Sequence, residues 1–127
     1  MQFNKLINKN MADEFDIPVF KKAYDFYKMF YVFRTTVPKK DKYTIYQKSE
    51  NLIIEIIEGI LSASYKQKFE KIPVLERTSL KLNVLRVFIR LMKEMQALDN
   101  KKYCALEEII DEIGRMLGGW IRSLSPK

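Results

Sequence analysis

At 127 residues the chain is long enough for one domain with a real core and too short for two. It has no histidine and a single cysteine, Cys104, which excludes an intramolecular disulfide, a multi-cysteine metal site and histidine-based acid–base catalysis. The net charge of +7 is unevenly placed: residues 21–48 hold eight lysines and arginines against Asp25 and Asp41, six of the seven net positive charges. That is the footprint of a nucleic-acid or acidic-protein partner, or else a solvated lysine face.

Residues 1–16 are polar and lack a periodic pattern, which predicts a flexible tail in front of one domain over residues 17–127. Met11 could equally be the true start. Met1 to Asn10 holds no apolar stretch ending in small residues, and no apolar run approaches the roughly 18 residues of a membrane span. A cytoplasmic protein without signal peptide or membrane contact is the expectation. Pro18 suits a first helical turn, where its missing N–H does no harm, and helix one is predicted over about residues 18–36, ending before Pro38. Phe20, Tyr24, Tyr27 and Tyr31 share one side of it, which points to core packing rather than base stacking. Arg34 lies on that side too, placed to snorkel at the helix end or to pair with a carboxylate such as Glu50.

The lysine-rich connector VPKKDKY follows, with Asp41 placed to cap helix two over about residues 43–67. Residues 69–73 are predicted to lead into helix three, about 74–98, and residues 99–101 to turn the chain into helix four, about 102–124. Four helices with short connections predict an all-α fold, an up-down-up-down antiparallel four-helix bundle. Helix three carries two apolar faces. Leu75, Leu82, Leu85, Ile89 and Met92 form one; Leu80, Val84, Val87, Phe88, Leu91, Met95 and Leu98 form another, almost opposite. Ile54, Ile57 and Leu61 widen the stripe of helix two in the same way. Such surplus predicts self-association into a homo-oligomer.

Helix four is two-sided, with Ile109, Ile110, Ile113, Met116, Leu117, Trp120 and Ile121 on its core face. Gly114 and Gly118 lie beside that face one turn apart. Each costs a helix about 1 kcal/mol relative to alanine, and close approach of a second backbone is the simplest reason to keep them.

Chemistry is sparse. Arg86, Arg90 and Lys93 form a basic strip between the two faces of helix three, and Arg77 and Lys81 make a second basic pair at i, i+4. Arginines on such a strip suit phosphate oxygens and give salt-dependent affinity, although charged rims are also ordinary beside an oligomer interface. Glu55 with Glu58, and Glu107 with Asp111, share helix faces without any histidine or supporting group, so they read as solvated surface. Cys104 lies near the start of helix four with nothing to activate it. No catalytic residue, metal, cofactor or small-molecule substrate is expected.

Four stretches carry a resemblance: DIPVFKKAYDFYKMF (16–30), VPKKDKYTIYQKSEN (37–51), SLKLNVLRVFIRLMKEMQAL (79–98) and DEIGRMLGGWIRS (111–123). Together they resemble the accessory variability determinant (Avd) proteins of diversity-generating retroelements. More distantly they are similar to four-helix proteins encoded in intervening sequences of large-subunit ribosomal RNA. The resemblance implies a non-enzymatic four-helix bundle that assembles into a barrel-shaped homopentamer with a basic surface. It also implies binding to the element's reverse transcriptase and its template RNA, with DNA a further candidate, in support of mutagenic cDNA synthesis. Carried onto this chain, the positions for nucleic-acid or transcriptase contact are Lys39, Lys40, Lys42, Arg77, Lys81, Arg86, Arg90 and Lys93. The alternative is a structural oligomerisation module of the intervening-sequence type, without a reverse-transcriptase partner.

Overall fold

A computed structural model describes residues 17–126, so the tail expected over residues 1–16 lies outside the described residues. The architecture is the four-helix bundle that the spacing predicts, with no strand among the described residues. Helix α1 runs Pro18–Phe33 and closes in a 3-10 turn, Arg34–Thr36. A second rod follows in three pieces: a helical turn Lys39–Asp41, a π-helical turn Lys42–Tyr46, and α2, Gln47–Tyr65. Helix α3 spans Lys68–Glu94 and α4 spans Asn100–Leu124. In cross-section α1 packs on α2 and α4, and α3 completes the square against the same two helices.

The core face of α1 is Val19, Ala23, Phe26 and Phe30, with Phe20 beside it. It is turned one residue from the Phe20–Tyr24–Tyr27–Tyr31 stripe that the spacing suggested, and Tyr31 is left 61% exposed. The phenols stay at the boundary because each hydroxyl needs a polar partner, whereas the hydrocarbon rings of Phe26 and Phe30 do not. Tyr27 donates to Glu50 at 3.4 Å. Arg34 lies instead over the ring of Tyr43, 5.4 Å from its centroid.

Helix α3 begins earlier than predicted. Gln67 and Glu70 form a reciprocal capping box, so the connection from α2 shrinks to Lys66 and Gln67, and residues 69–73 are helical with Pro73 inside. That proline offers no N–H to the turn before it. The Lys71 ammonium donates to the Ala63 carbonyl at 2.7 Å and closes the end of α2. At its other end α3 stops four residues short of the predicted Leu98. Gln96 takes a left-handed conformation (φ 66°), its N–H bonds Lys93 O at 3.0 Å, and Ala97 N–H bonds Met92 O at 2.7 Å. This Schellman stop turns Ala97 and Leu98 inward, where both are buried. Asp99 then caps α4 by accepting from Lys102 N–H at 2.8 Å.

Leu106, Ile110, Ile113 and Leu117 form the buried line of α4, and Ile109, Met116, Trp120 and Ile121 pack along its edges. Its glycines are not where backbones meet. A Cβ at Gly114 would touch the Arg86 guanidinium at 3.3 Å, and one at Gly118 would touch only Arg122. Close approach occurs at Gly59 of α2, where a Cβ would collide with the Thr78 side chain of α3.

Of the second apolar face of α3, Leu98 is buried, Val84 and Phe88 are half-buried, and Leu80, Val87, Leu91 and Met95 lie open to solvent.

Candidate nucleic-acid interface

Antiparallel topology gathers four segments at one end of the bundle: the 3-10 turn after α1, the start of the second rod, the end of α3 and the start of α4. Two observations place these segments side by side. Lys102 Nζ lies 5.7 Å from the ring centroid of Phe33, and Thr36, Lys93, Asp99 and Lys102 line a common surface pocket.

The basic connector is helical rather than open. Pro38 precedes its first turn, and its carbonyl accepts from Asp41 N–H at 2.9 Å and from Lys42 N–H at 3.1 Å. A wider π turn follows, in which Thr44 Oγ1 donates to the carbonyls of Lys40 (3.2 Å) and Asp41 (3.4 Å). π turns are uncommon insertions within α-helices. Below it Tyr46 is fully buried; its ring stacks on Phe30 with centroids 4.1 Å apart, and its hydroxyl donates to the Phe30 carbonyl. Burial pushes the Tyr46 phenol above its ordinary value, with the nearby Glu50 carboxylate adding to the effect. Val37 is buried on the other side of the corner. The lysine turn is therefore held between two buried anchors.

Lys39 and Lys40 are exposed and Lys42 half-buried. None of the three makes an ion pair among the described residues. The α3 candidates fare differently. Lys81 Nζ is 2.9 Å from Glu55 of α2, Arg86 is paired with Asp111 of α4, and Arg90 is 3.2 Å from Glu94. Lys93 Nζ lies 4.6 Å from the ring centroid of Tyr103. Arg77 is exposed without an ion pair among the described residues, but lies about 24 Å along α3 from Lys93. So the structure brings Lys39, Lys40, Lys42, Arg90 and Lys93 to one end, leaves Lys81 and Arg86 along the middle of α3, and puts Arg77 toward the other end.

Three further cations stand at that end, and the sequence reading had not singled them out as contacts: Arg34, Lys101 and Lys102. The adjacent lysines straight after the Asp99 turn were the available signal, since an antiparallel bundle brings α4's start beside helix one's end. Lys102 is partly spent at home, 3.2 Å from Asp99. The Asp99 carboxyl is held below its ordinary value, first by the Lys102 N–H and then by the Lys102 ammonium.

A profile of the bAvd-like family matches residues 18–124, which takes in all four helices and the basic corner. The chain belongs to the bAvd-like family. No curated protein matches it. The family is an accessory, non-catalytic one, as the resemblance implied. In this bAvd-like protein no cluster of potential ligands that could hold a metal ion occurs among the described residues. No helix among them is long and apolar enough to cross a membrane.

Proposed function

We propose that this protein is a non-enzymatic accessory subunit of a diversity-generating retroelement. It binds template RNA and the reverse transcriptase as a homo-oligomer and supports mutagenic cDNA synthesis. The observation that carries this reading is the corner at Lys39, Lys40 and Lys42, a cationic turn with no carboxylate engaged on it among the described residues, in a chain of this family. Cations without a carboxylate partner are the ones that neutralise phosphates and release counterions. The ion-paired residues of α3 would first have to give up Glu55, Asp111 or Glu94, so the contact is assigned chiefly to the corner, with Lys93 and Lys101 beside it.

Fluorescence anisotropy with structured RNA over a salt series tests this. Wild-type binding should weaken steeply with salt. Replacing Lys39, Lys40 and Lys42 by alanine should lower the logarithmic salt slope by about 1 for each phosphate no longer neutralised. Replacing Arg86, Arg90 and Lys93 should do less. Absent or salt-insensitive binding would overturn the proposal. Its transcriptase half is checked by co-expression with the neighbouring gene products and asking whether a polymerase co-purifies.

A further inference from the structure

Tyr31 and Tyr43 are 61% and 63% exposed, and neither belongs to the core or to the partly buried layer packed on it. A boundary tyrosine needs only its hydroxyl in water, whereas exposure on this scale leaves ring faces there as well. The two come from different rods and meet through one cation. Tyr31 and Arg34 are three residues apart, neighbours on the surface at the end of α1. The Arg34 guanidinium in turn lies 5.4 Å from the ring centroid of Tyr43. Arg34 makes no ion pair among the described residues. Tyr43 stands four residues after Lys39 and next to Lys42 on the second rod. The series Tyr31, Arg34, Tyr43 therefore runs straight into the lysine corner.

Aromatic faces beside cations are what a single-strand binding surface is made of: the cations track the backbone and the rings take unpaired bases, each of which has a π face. A fully paired duplex offers the corner its phosphates but keeps its bases stacked inside. The rings alone would also suit a protein partner. Residues 34–43, however, hold Arg34, Lys39, Lys40 and Lys42 against the one carboxylate of Asp41, and that balance favours a polyanion. We infer that Tyr31 and Tyr43 form a stacking platform for unpaired bases of RNA, with Arg34 between them and the strand's phosphates on the three lysines. This rests on the RNA binding proposed above and narrows it: the ligand preferred at this end is single-stranded. A guanidinium plane stacks on bases as well as on tyrosine, so Arg34 can pass from ring to base as the strand arrives.

Fluorescence anisotropy with two labelled RNAs tests this. One is an oligouridine of about 12 nucleotides, within the site sizes of such surfaces, and the other a fully paired duplex of the same length. Replacing Tyr31 and Tyr43 together by leucine should weaken single-strand binding about tenfold at every salt concentration. The logarithmic salt slope should stay as in the wild type, because stacking releases no counterions. Duplex binding should change by less than about twofold, since no unpaired base is lost from the platform. Phenylalanine at both positions keeps the ring faces and should bind the single strand as the wild type does. A leucine variant that binds the single strand undiminished would overturn the platform and leave the RNA reading standing. An equal loss on both RNAs, or a lowered salt slope, would also overturn it, because either is the mark of displaced lysines. A wild type that binds neither RNA would remove the RNA reading and the platform together. A leucine variant with a changed mass on a sizing column would assign the rings to a contact between copies of the chain, against the platform.

Discussion

Single residues hold the corner and the crossings of this bundle, and their substitutions have distinct signs. Tyr46 is buried, stacked and hydrogen-bonded, with its phenol raised above the ordinary value. The unfolded chain begins to lose this proton near pH 10, whereas the folded chain keeps it. Its contribution is therefore fully present below about pH 10 and declines as the pH rises further. Tyr46→Phe should cost about 1 kcal/mol at neutral pH and flatten that alkaline decline, measurable by urea unfolding at several pH values. Gly59 and Gly119 should behave oppositely. A Cβ at Gly59 collides with Thr78, so Gly59→Ala should destabilise by about 1–3 kcal/mol. One at Gly119 meets only Arg122, at 3.8 Å, and Gly119→Ala should stabilise by up to about 1 kcal/mol. Gln96 occupies the left-handed position where glycine usually ends a helix. Gln96→Gly should raise stability by about 0.5–1 kcal/mol in thermal or urea unfolding.

At the scale of elements, all four helices and the core face of α4 were legible from periodicity, because little besides a buried helical face places apolar residues at 3.6-residue spacing. The ends were not. Pro73 suggested a break, yet the Gln67–Glu70 capping box starts α3 five residues before it. Leu98 continued the apolar pattern of helix three but is buried by the reversal at Gln96, a conformation that glutamine does not announce. The tyrosine stripe of helix one misled for a different reason: rings at helical spacing look like core until the hydroxyls are counted. For the basic residues, sequence showed the charge and not its engagement. Lys81, Arg86 and Arg90 find their partners on other helices or one turn along α3, information that pairwise spacing along one helix only partly contains. These pairs are half-exposed to exposed, so Arg86→Ala should change stability by no more than about 1 kcal/mol, a small shift in the urea midpoint.

At the scale of the whole molecule, the described residues present a cationic end and an apolar face along α3 bearing Leu80, Val87, Leu91 and Met95, the last two reaching that end beside Lys93. The first suits a polyanion and the second a hydrophobic partner. If the α3 face meets further copies of the chain, light scattering on a sizing column should give a mass well above the 15.1 kDa of one chain. Combining Val87→Asp with Leu91→Asp should return the protein to monomer while helicity persists, because both side chains already contact water in the isolated bundle. A monomeric wild type at micromolar concentration would contradict the assignment.

The π turn between Lys42 and Tyr46 gives the bundle a form of adjustable gearing. Each residue added to or removed from a helix rotates everything beyond it by about 100°. Here that rotation falls between the lysines and the buried Tyr46, so a one-residue change in the turn re-aims the charged tip while α2 below keeps its register, but it also swings the buried Val37 on the far side of the corner. The direction in which the cationic end points is thus locked to the seating of one core valine.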